Sequence, residues 1–127
     1  MRTILFLFLV IGSSAFSQST LTLKKKYYGQ YSGEIPAYSF ETEDGAIDVS
    51  ACSIQIAINE DEIKFEIGQN KFQGTFKVMF EANNYFLLDC LIPNQKATER
   101  VMVFKKGKKI SRDGLYPQPM SFLKKIK

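Results

Sequence analysis

The chain has 127 residues, of which 45% are hydrophobic and 24% charged, with 17 Lys and Arg against 13 Asp and Glu. This length and composition predict one folded domain and exclude a disordered chain. The absence of His excludes Ser-His-Asp and Cys-His catalysis and His-ligated metals, and two Cys are too few for a four-cysteine zinc or iron–sulfur site.

The first 17 residues have the three parts of a signal peptide. Arg2 supplies the positive charge, residues 4–11 the apolar run, and Ala15-Phe16-Ser17 a small-x-small cleavage site. Eight apolar residues span about 12 Å as a helix, too short for the roughly 30 Å hydrocarbon core of a bilayer. We therefore expect a soluble exported protein, periplasmic or secreted, with no transmembrane segment in its mature domain over residues 18–127.

Along the mature chain, apolar and polar residues alternate with a period of two, which is typical of half-buried strands. The first strand is expected within residues 27–40, bent at Gly29 and Gly33, and an acidic loop follows over residues 41–48. Further strands are expected over residues 51–58, 63–67, 71–80, 85–92, 98–105 and 109–111. A loop over residues 112–119 then leads to residues 120–127, which form either a closing strand or one helical turn.

Six to eight short strands separated by polar turns predict an all-β fold, an antiparallel meander closing into a small barrel or sandwich. Gly74 indicates a bulge or sharp bend within its strand, and Phe80 is expected on the same face as Phe72 and Phe76. The expected core is Ile54, Ile56, Ile58, Ile63, Phe65, Ile67, Phe76, Val78, Leu88 and Val103.

The two cysteines, Cys52 and Cys90, both fall on the apolar face of their strands. In an oxidising compartment such a pair favours a disulfide, here closing a segment of about 38 residues. The alternative is two small buried hydrophobic side chains that never pair.

The segment Tyr28-Gly29-x-Tyr31-x-Gly33-x-Ile35-Pro36 resembles the opening strand of small secreted bacterial barrels, namely the copper-resistance outer-membrane lipoproteins and, more broadly, lipocalin-like domains. The resemblance covers about ten residues and implies a barrel architecture. In the copper-resistance family a Cys-rich stretch follows the proline, whereas residues 37–40 here read Ala-Tyr-Ser-Phe. The resemblance therefore implies no metal-binding residues.

Carboxylates are the main remaining groups for acid–base chemistry. Glu41, Glu43, Asp44 and Asp48 lack the spacing of an EF-hand loop, so a solvated acidic loop is favoured over a calcium site. A glycosidase needs two carboxylates that face each other, and the apolar strand faces provide none. We expect a protein that is not an enzyme and that has no cofactor or metal.

Charge is distributed unevenly along the domain. Residues 18–90 carry 6 basic and 11 acidic side chains, whereas residues 91–127 carry 10 basic and 2 acidic ones. The candidate binding surface therefore consists of Lys105, Lys106, Lys108, Lys109, Arg112, Lys124, Lys125 and Tyr116. Such a surface predicts an anionic glycan, a lipid head group or an acidic protein as partner at the cell envelope, and excludes nucleic acid because aromatic residues are not interleaved. The alternative is that these lysines only keep a sheet edge soluble.

A second functional hypothesis is a lipocalin-like carrier of a small apolar ligand. Barrels of about eight strands hold such a ligand when their own side chains leave the interior open. The tyrosines at Tyr27, Tyr28, Tyr31, Tyr38 and Tyr116 either form an exposed recognition surface or pack with their hydroxyls at the rim.

Overall fold

The computed structural model describes residues 21–95, 98–114 and 117–127, so the predicted signal peptide and Tyr116 lie outside the described residues. A short 3-10 helix at Lys25–Tyr27 precedes ten strands. These are β1 (Gly29–Ile35), β2 (Tyr38–Thr42), β3 (Gly45–Val49), β4 (Cys52–Ile58), β5 (Ile63–Ile67), β6 (Asn70–Glu81), β7 (Tyr85–Leu91), β8 (Glu99–Phe104), β9 (Lys109–Asp113) and β10 (Ser121–Lys125). The predicted all-β class is confirmed.

Eight of these strands close into an antiparallel barrel in the order β1-β10-β9-β8-β7-β6-β5-β4. Strands β4 to β10 form the predicted meander, and β10 is the closing strand rather than a helical turn. Strand β1 pairs with both β10 and β4, so the barrel has no open edge at which another strand could add. The architecture is consistent with a lipocalin-like barrel.

The alternation of strand directions gives the barrel two distinct ends. At the first, here called the lysine end, β1 begins, β10 finishes, and the turns over residues 59–62, 82–84 and 105–108 connect neighbouring strands. At the opposite end, here called the far end, residues 36–51 leave β1, form the separate hairpin β2–β3, and return to β4. The C-terminal lysines, Lys105, Lys106, Lys108, Lys109, Lys124 and Lys125, therefore lie at the end of the barrel opposite the one from which the acidic segment leaves.

Alternating residues of the strands fill the barrel interior. Seven of the ten predicted core residues are buried: Ile54, Ile56, Ile58, Ile63, Phe65, Leu88 and Val103. The other three, Ile67, Phe76 and Val78, are half-buried and pack against that core. Close packing of side chains at 0–3% exposure is the main source of stability for a domain of this size.

The acidic segment forms a hairpin, not the expected loop. Tyr38 lies opposite Val49 and Phe40 opposite Ile47, so β2 and β3 share one apolar face. At the tip, the hydroxyl of Thr42 donates to the carbonyl of Gly45 over 2.7 Å. The acidic side chains that suggested a loop occupy the other face and the turn.

Strand β6 departs from the predicted pattern near its end. Its pairing with β7 shifts between Val78 and Phe80, and the extra residue turns Phe80 outward, where it is 43% exposed. Gly74 does not lie at this irregularity. A Cβ atom there would collide with the backbone carbonyl of Leu91, so close approach of the neighbouring strand explains this glycine.

The predicted disulfide is wrong, because Cys52 and Cys90 are both free thiols. Cys52 lies on β4 and Cys90 on β7, and strands β5 and β6 stand between them. Three strand spacings of roughly 4.8 Å separate the two positions along the wall, whereas bridged cysteines have Cα atoms about 4.4–6.8 Å apart. The alternation pattern correctly placed both cysteines on the interior face of their strands. It gave no information on whether those two strands are neighbours in the barrel.

Candidate anion-binding site at the lysine end

Four lysines surround a pocket at the lysine end of the barrel. The pocket has a volume of about 260 Å³. We call this cavity the lysine pocket. It is lined by Lys26, Tyr27, Tyr31, Phe104, Lys105, Gly107, Lys108 and Lys125. It therefore combines four lysines with a half-buried aromatic ring, Phe104, which suits a partner that carries negative charge beside an apolar group.

The chain segment before β1 forms one side of this pocket. The hydroxyl of Tyr31 donates to the carbonyl of Tyr27 over 2.7 Å, and the ring of Tyr27 packs edge-on against Phe86 with centroids 5.3 Å apart. The ammonium of Lys125 donates to the carbonyl of Lys26 over 3.0 Å. These contacts hold the 3-10 helix against the barrel and bring Lys26 beside the C-terminal lysines.

The buried position of Tyr31 affects its acid–base behaviour. Its side chain is 1% exposed, and burial, with a smaller contribution from Tyr27, raises the pKa of its phenol above 10.0. The hydroxyl therefore stays protonated, and keeps its hydrogen bond to Tyr27, to a higher pH than that of an exposed tyrosine.

Lys105 is held in place by three neighbours. Its ammonium lies 2.5 Å from a carboxylate oxygen of Glu81 and 5.0 Å from the ring centroid of Phe86. Its backbone N–H donates to the carbonyl of Asn84 over 2.8 Å. Because Glu81 already neutralises part of its charge, Lys105 contributes less free positive charge than Lys26 or Lys108.

Lys108 has a left-handed backbone conformation, with φ of 48°, directly after Gly107 with φ of 88°. This conformation is costly for a lysine, and Asn or Gly would fit it better. A positive φ at a residue other than glycine is uncommon and occurs mostly in turns, here the turn between β8 and β9. Here the strained residue places an ammonium group at the pocket.

The structure brings together only some of the predicted surface residues. Lys105, Lys108 and Lys125 line the pocket, while Lys106 is exposed in the same turn. Lys109 and Lys124 lie opposite each other on β9 and β10, and the ammonium of Lys109 sits 5.1 Å from the ring centroid of Phe104.

The two remaining predicted residues are Tyr116 and Arg112. Tyr116 lies outside the described residues. Arg112 is 3% exposed and sits inside the barrel near the far end, so its charge does not reach the lysine pocket.

Arg112 is neutralised where it lies. Its Nε donates to Glu99 over 3.0 Å and its Nη2 donates to the other oxygen of that carboxylate over 2.8 Å. Its Nη1 donates to the side chain of Gln118. Ser121, opposite Arg112 in the register, is 1% exposed, and its hydroxyl has no hydrogen-bond partner among the described residues.

Lys26 and Tyr27 are pocket residues that sequence reasoning did not assign to the basic surface. Lys26 precedes β1 in the part of the chain that carries excess negative charge. It reaches the pocket only because β1 pairs with β10. The run Lys24-Lys25-Lys26 was the available signal, since it stands directly before the first strand.

A second pocket lies on the outer wall of β1, β4, β5 and β6, with a volume of about 400 Å³. It is larger than the lysine pocket but carries mixed charge and three amides. Its lining residues are Gln30, Gln55, Ile56, Ala57, Lys64, Phe65, Glu66, Lys71, Phe72 and Gln73. Because Lys64 and Lys71 stand beside Glu66, this wall has no strong preference for an anion.

Other kinds of site receive no support from the part of the chain that the structure describes. No group of three or more His, Cys, Asp or Glu is arranged there to hold a metal ion. Within the same ranges, no helix has the length and apolar character needed to cross a bilayer.

Comparison of the chain with family models, with curated proteins and with solved structures finds no match.

Proposed function

We propose that this chain is an exported, non-catalytic binding protein that holds an anionic partner at the lysine pocket. The single observation that supports this proposal is the convergence of Lys26, Lys105, Lys108 and Lys125 around Tyr27, Tyr31 and Phe104. These residues come from opposite ends of the chain, and only barrel closure places them together.

The magnitudes favour a partner that is recognised by several charges at once. A single exposed ion pair contributes about 0–1 kcal/mol, and salt screens it with a Debye length of roughly 8 Å at physiological ionic strength. Lys26, Lys108 and Lys125, with a smaller contribution from Lys105, act together on a nearby anion. Phe104, the half-buried ring of the pocket, adds an apolar contact that salt does not screen.

A small apolar ligand inside the barrel receives less support. Phe65 is 2% exposed, Leu88 and Val101 are 0% exposed, and the Glu99–Arg112 pair occupies the interior toward the far end. An interior filled in this way leaves little room for a carrier's cargo.

The test compares two variants that lose the same charge. The pocket variant carries Lys26→Gln, Lys105→Gln and Lys108→Gln, and the matched control carries Lys64→Gln, Lys71→Gln and Lys77→Gln on the outer wall. The probe is a short glutamate-rich peptide containing one Phe, here called the acidic probe. Binding is measured by fluorescence anisotropy at low and at high ionic strength.

We expect the pocket variant to bind the acidic probe at least about tenfold more weakly at low salt, which corresponds to roughly 1.4 kcal/mol. The control should bind as the unmodified protein does. Equal losses in both variants would mean that only net charge matters and would contradict the proposal. Parallel titrations with heparin and with phosphatidylglycerol vesicles rank a glycan and a lipid head group against a carboxylate partner.

A further inference from the structure

The hairpin β2–β3 is a sheet of its own that does not pair with the barrel. Two-stranded hairpins are at best marginally stable in water unless another surface covers them. Tyr38, at the base, packs against the barrel core, but Ile47, nearer the tip, is 45% exposed. The outer half of this hairpin therefore presents an apolar face whose Ile47 the described residues leave exposed.

The same hairpin carries four acidic side chains and no basic one over residues 36–51. Glu43 and Asp44 form the exposed tip, while Glu41 and Asp48 lie on the face opposite Phe40 and Ile47. The tip thus combines carboxylates with an adjacent aromatic and aliphatic face, which is the chemistry that the lysine pocket complements.

The hairpin and the lysine pocket of one molecule lie at opposite ends of the barrel. Strand β1 runs seven residues from Gly29, near the pocket, to Ile35, where the hairpin segment begins. Its length is roughly 20 Å at about 3.3 Å per residue. A contact between the two surfaces is therefore geometrically suited to two copies of the chain arranged head to tail.

We propose that the acidic hairpin tip of one copy docks in the lysine pocket of a second copy. This inference rests on the proposed function, because it identifies the anionic partner of that pocket as the chain's own hairpin. The pair retains one free pocket on one copy and one free hairpin on the other, so the association extends into open chains unless a rotation closes a ring. The charges make it strongest at low ionic strength.

The test is a charge exchange between the two surfaces. The hairpin variant carries Glu43→Lys and Asp44→Lys, and the pocket variant carries Lys26→Glu and Lys108→Glu. The exchanged side chains are exposed, and circular dichroism checks that each variant keeps its β-sheet spectrum. Sedimentation velocity over a range of protein concentrations is measured for the unmodified protein, each variant and their mixture.

At low salt we expect the sedimentation coefficient of the unmodified protein to increase with its concentration. At high salt we expect no such increase. Each variant alone should remain monomeric, because the hairpin variant presents two tip lysines to an unchanged basic pocket and the pocket variant presents two glutamates to an unchanged acidic tip. Their mixture should associate again, since the tip lysines then meet the pocket glutamates and the unchanged acidic tip meets the unchanged basic pocket. A matched control with Lys64→Glu and Lys71→Glu should still associate.

Three results would overturn the inference: an unmodified protein that stays monomeric at every concentration, a hairpin variant that still associates, or a mixture that stays monomeric. If the acidic probe nevertheless binds at the pocket, the proposed function stands and only the self-association fails. If the probe also fails to bind, both fail together.

Discussion

The carboxylate of Glu99 accepts two hydrogen bonds from the guanidinium of Arg112, at 3.0 and 2.8 Å, with both side chains inside the barrel. Glu99 is 1% exposed and Arg112 is 3% exposed. Removing either side chain would leave the charge of the other buried without a partner. This costs far more stability than replacing both side chains by apolar ones.

Replacing one member of this pair should therefore destabilise the fold strongly. We expect Arg112→Met to lower the free energy of unfolding by about 3–5 kcal/mol, as measured by urea denaturation. The double variant Arg112→Met with Glu99→Leu should recover much of that loss, because no charge is then buried alone. A single variant within about 0.5 kcal/mol of the unmodified protein would contradict this interpretation of the pair.

Burial of Cys90 should make stability fall at alkaline pH. Burial chiefly, with contributions from Glu99 and Asp89, raises the pKa of this thiol from 9.0 to about 12. Between these two values the unfolded chain has released a proton that the folded chain retains, so stability decreases as pH rises. The contribution is fully present below pH 9.0 and is lost by about pH 12.

The measurement is the free energy of unfolding as a function of pH above neutrality. Cys90→Ala should flatten the alkaline decline, whatever its effect on stability at neutral pH. Tyr31 contributes in the same direction, because its pKa is also raised by burial, so some decline should persist. An unchanged slope in Cys90→Ala would show that this thiol is not the cause.

The two thiols should differ in accessibility. Cys52 is half-buried and Cys90 is 0% exposed, so a disulfide reagent such as DTNB should modify only Cys52 in the native protein. Two thiols should react in denaturant. If none reacts under denaturing, non-reducing conditions, the cysteines are paired and the strand order described above cannot be correct.

Substitution of Lys108 should affect the stability of the fold and the binding of the acidic probe differently. Asn tolerates the left-handed conformation that Lys108 adopts, so Lys108→Asn should leave thermal stability unchanged or raise it by up to about 1 kcal/mol. The same change removes a pocket ammonium group and should weaken binding of the acidic probe. The matched control is Lys106→Asn, which lies in the same turn but outside the pocket lining. It should change neither thermal stability nor binding of the acidic probe strongly.

Strands with one buried face and one exposed face could be predicted from the sequence, because their apolar and polar residues alternate. The alternation in β4 and β5 identified five of the most buried residues, Ile54, Ile56, Ile58, Ile63 and Phe65. The same signal existed in β2 and β3, where Tyr38, Phe40, Ile47 and Val49 share a face, but the dense carboxylates obscured it.

Pairing between distant residues was not predictable in the same way. The irregularity between Val78 and Phe80 adds one residue to β6, so Phe80 faces outward instead of inward. The alternation of apolar and polar residues in the sequence gives no sign of this extra residue. Arg112 occupies an interior position only because Glu99, thirteen residues earlier, supplies a matching carboxylate. The lysine pocket likewise depends on barrel closure, which brings Lys26 beside Lys125.

The most direct test of the central claim is an NMR titration of the isotope-labelled protein with the acidic probe at low ionic strength. We predict that the amide signals of Lys26, Lys105, Lys108 and Lys125 shift together and saturate, and that high salt reverses the shifts. Shifts confined to the outer-wall pocket around Gln30, Gln55 and Gln73, or no saturable shifts at all, would contradict anion binding at the lysine end.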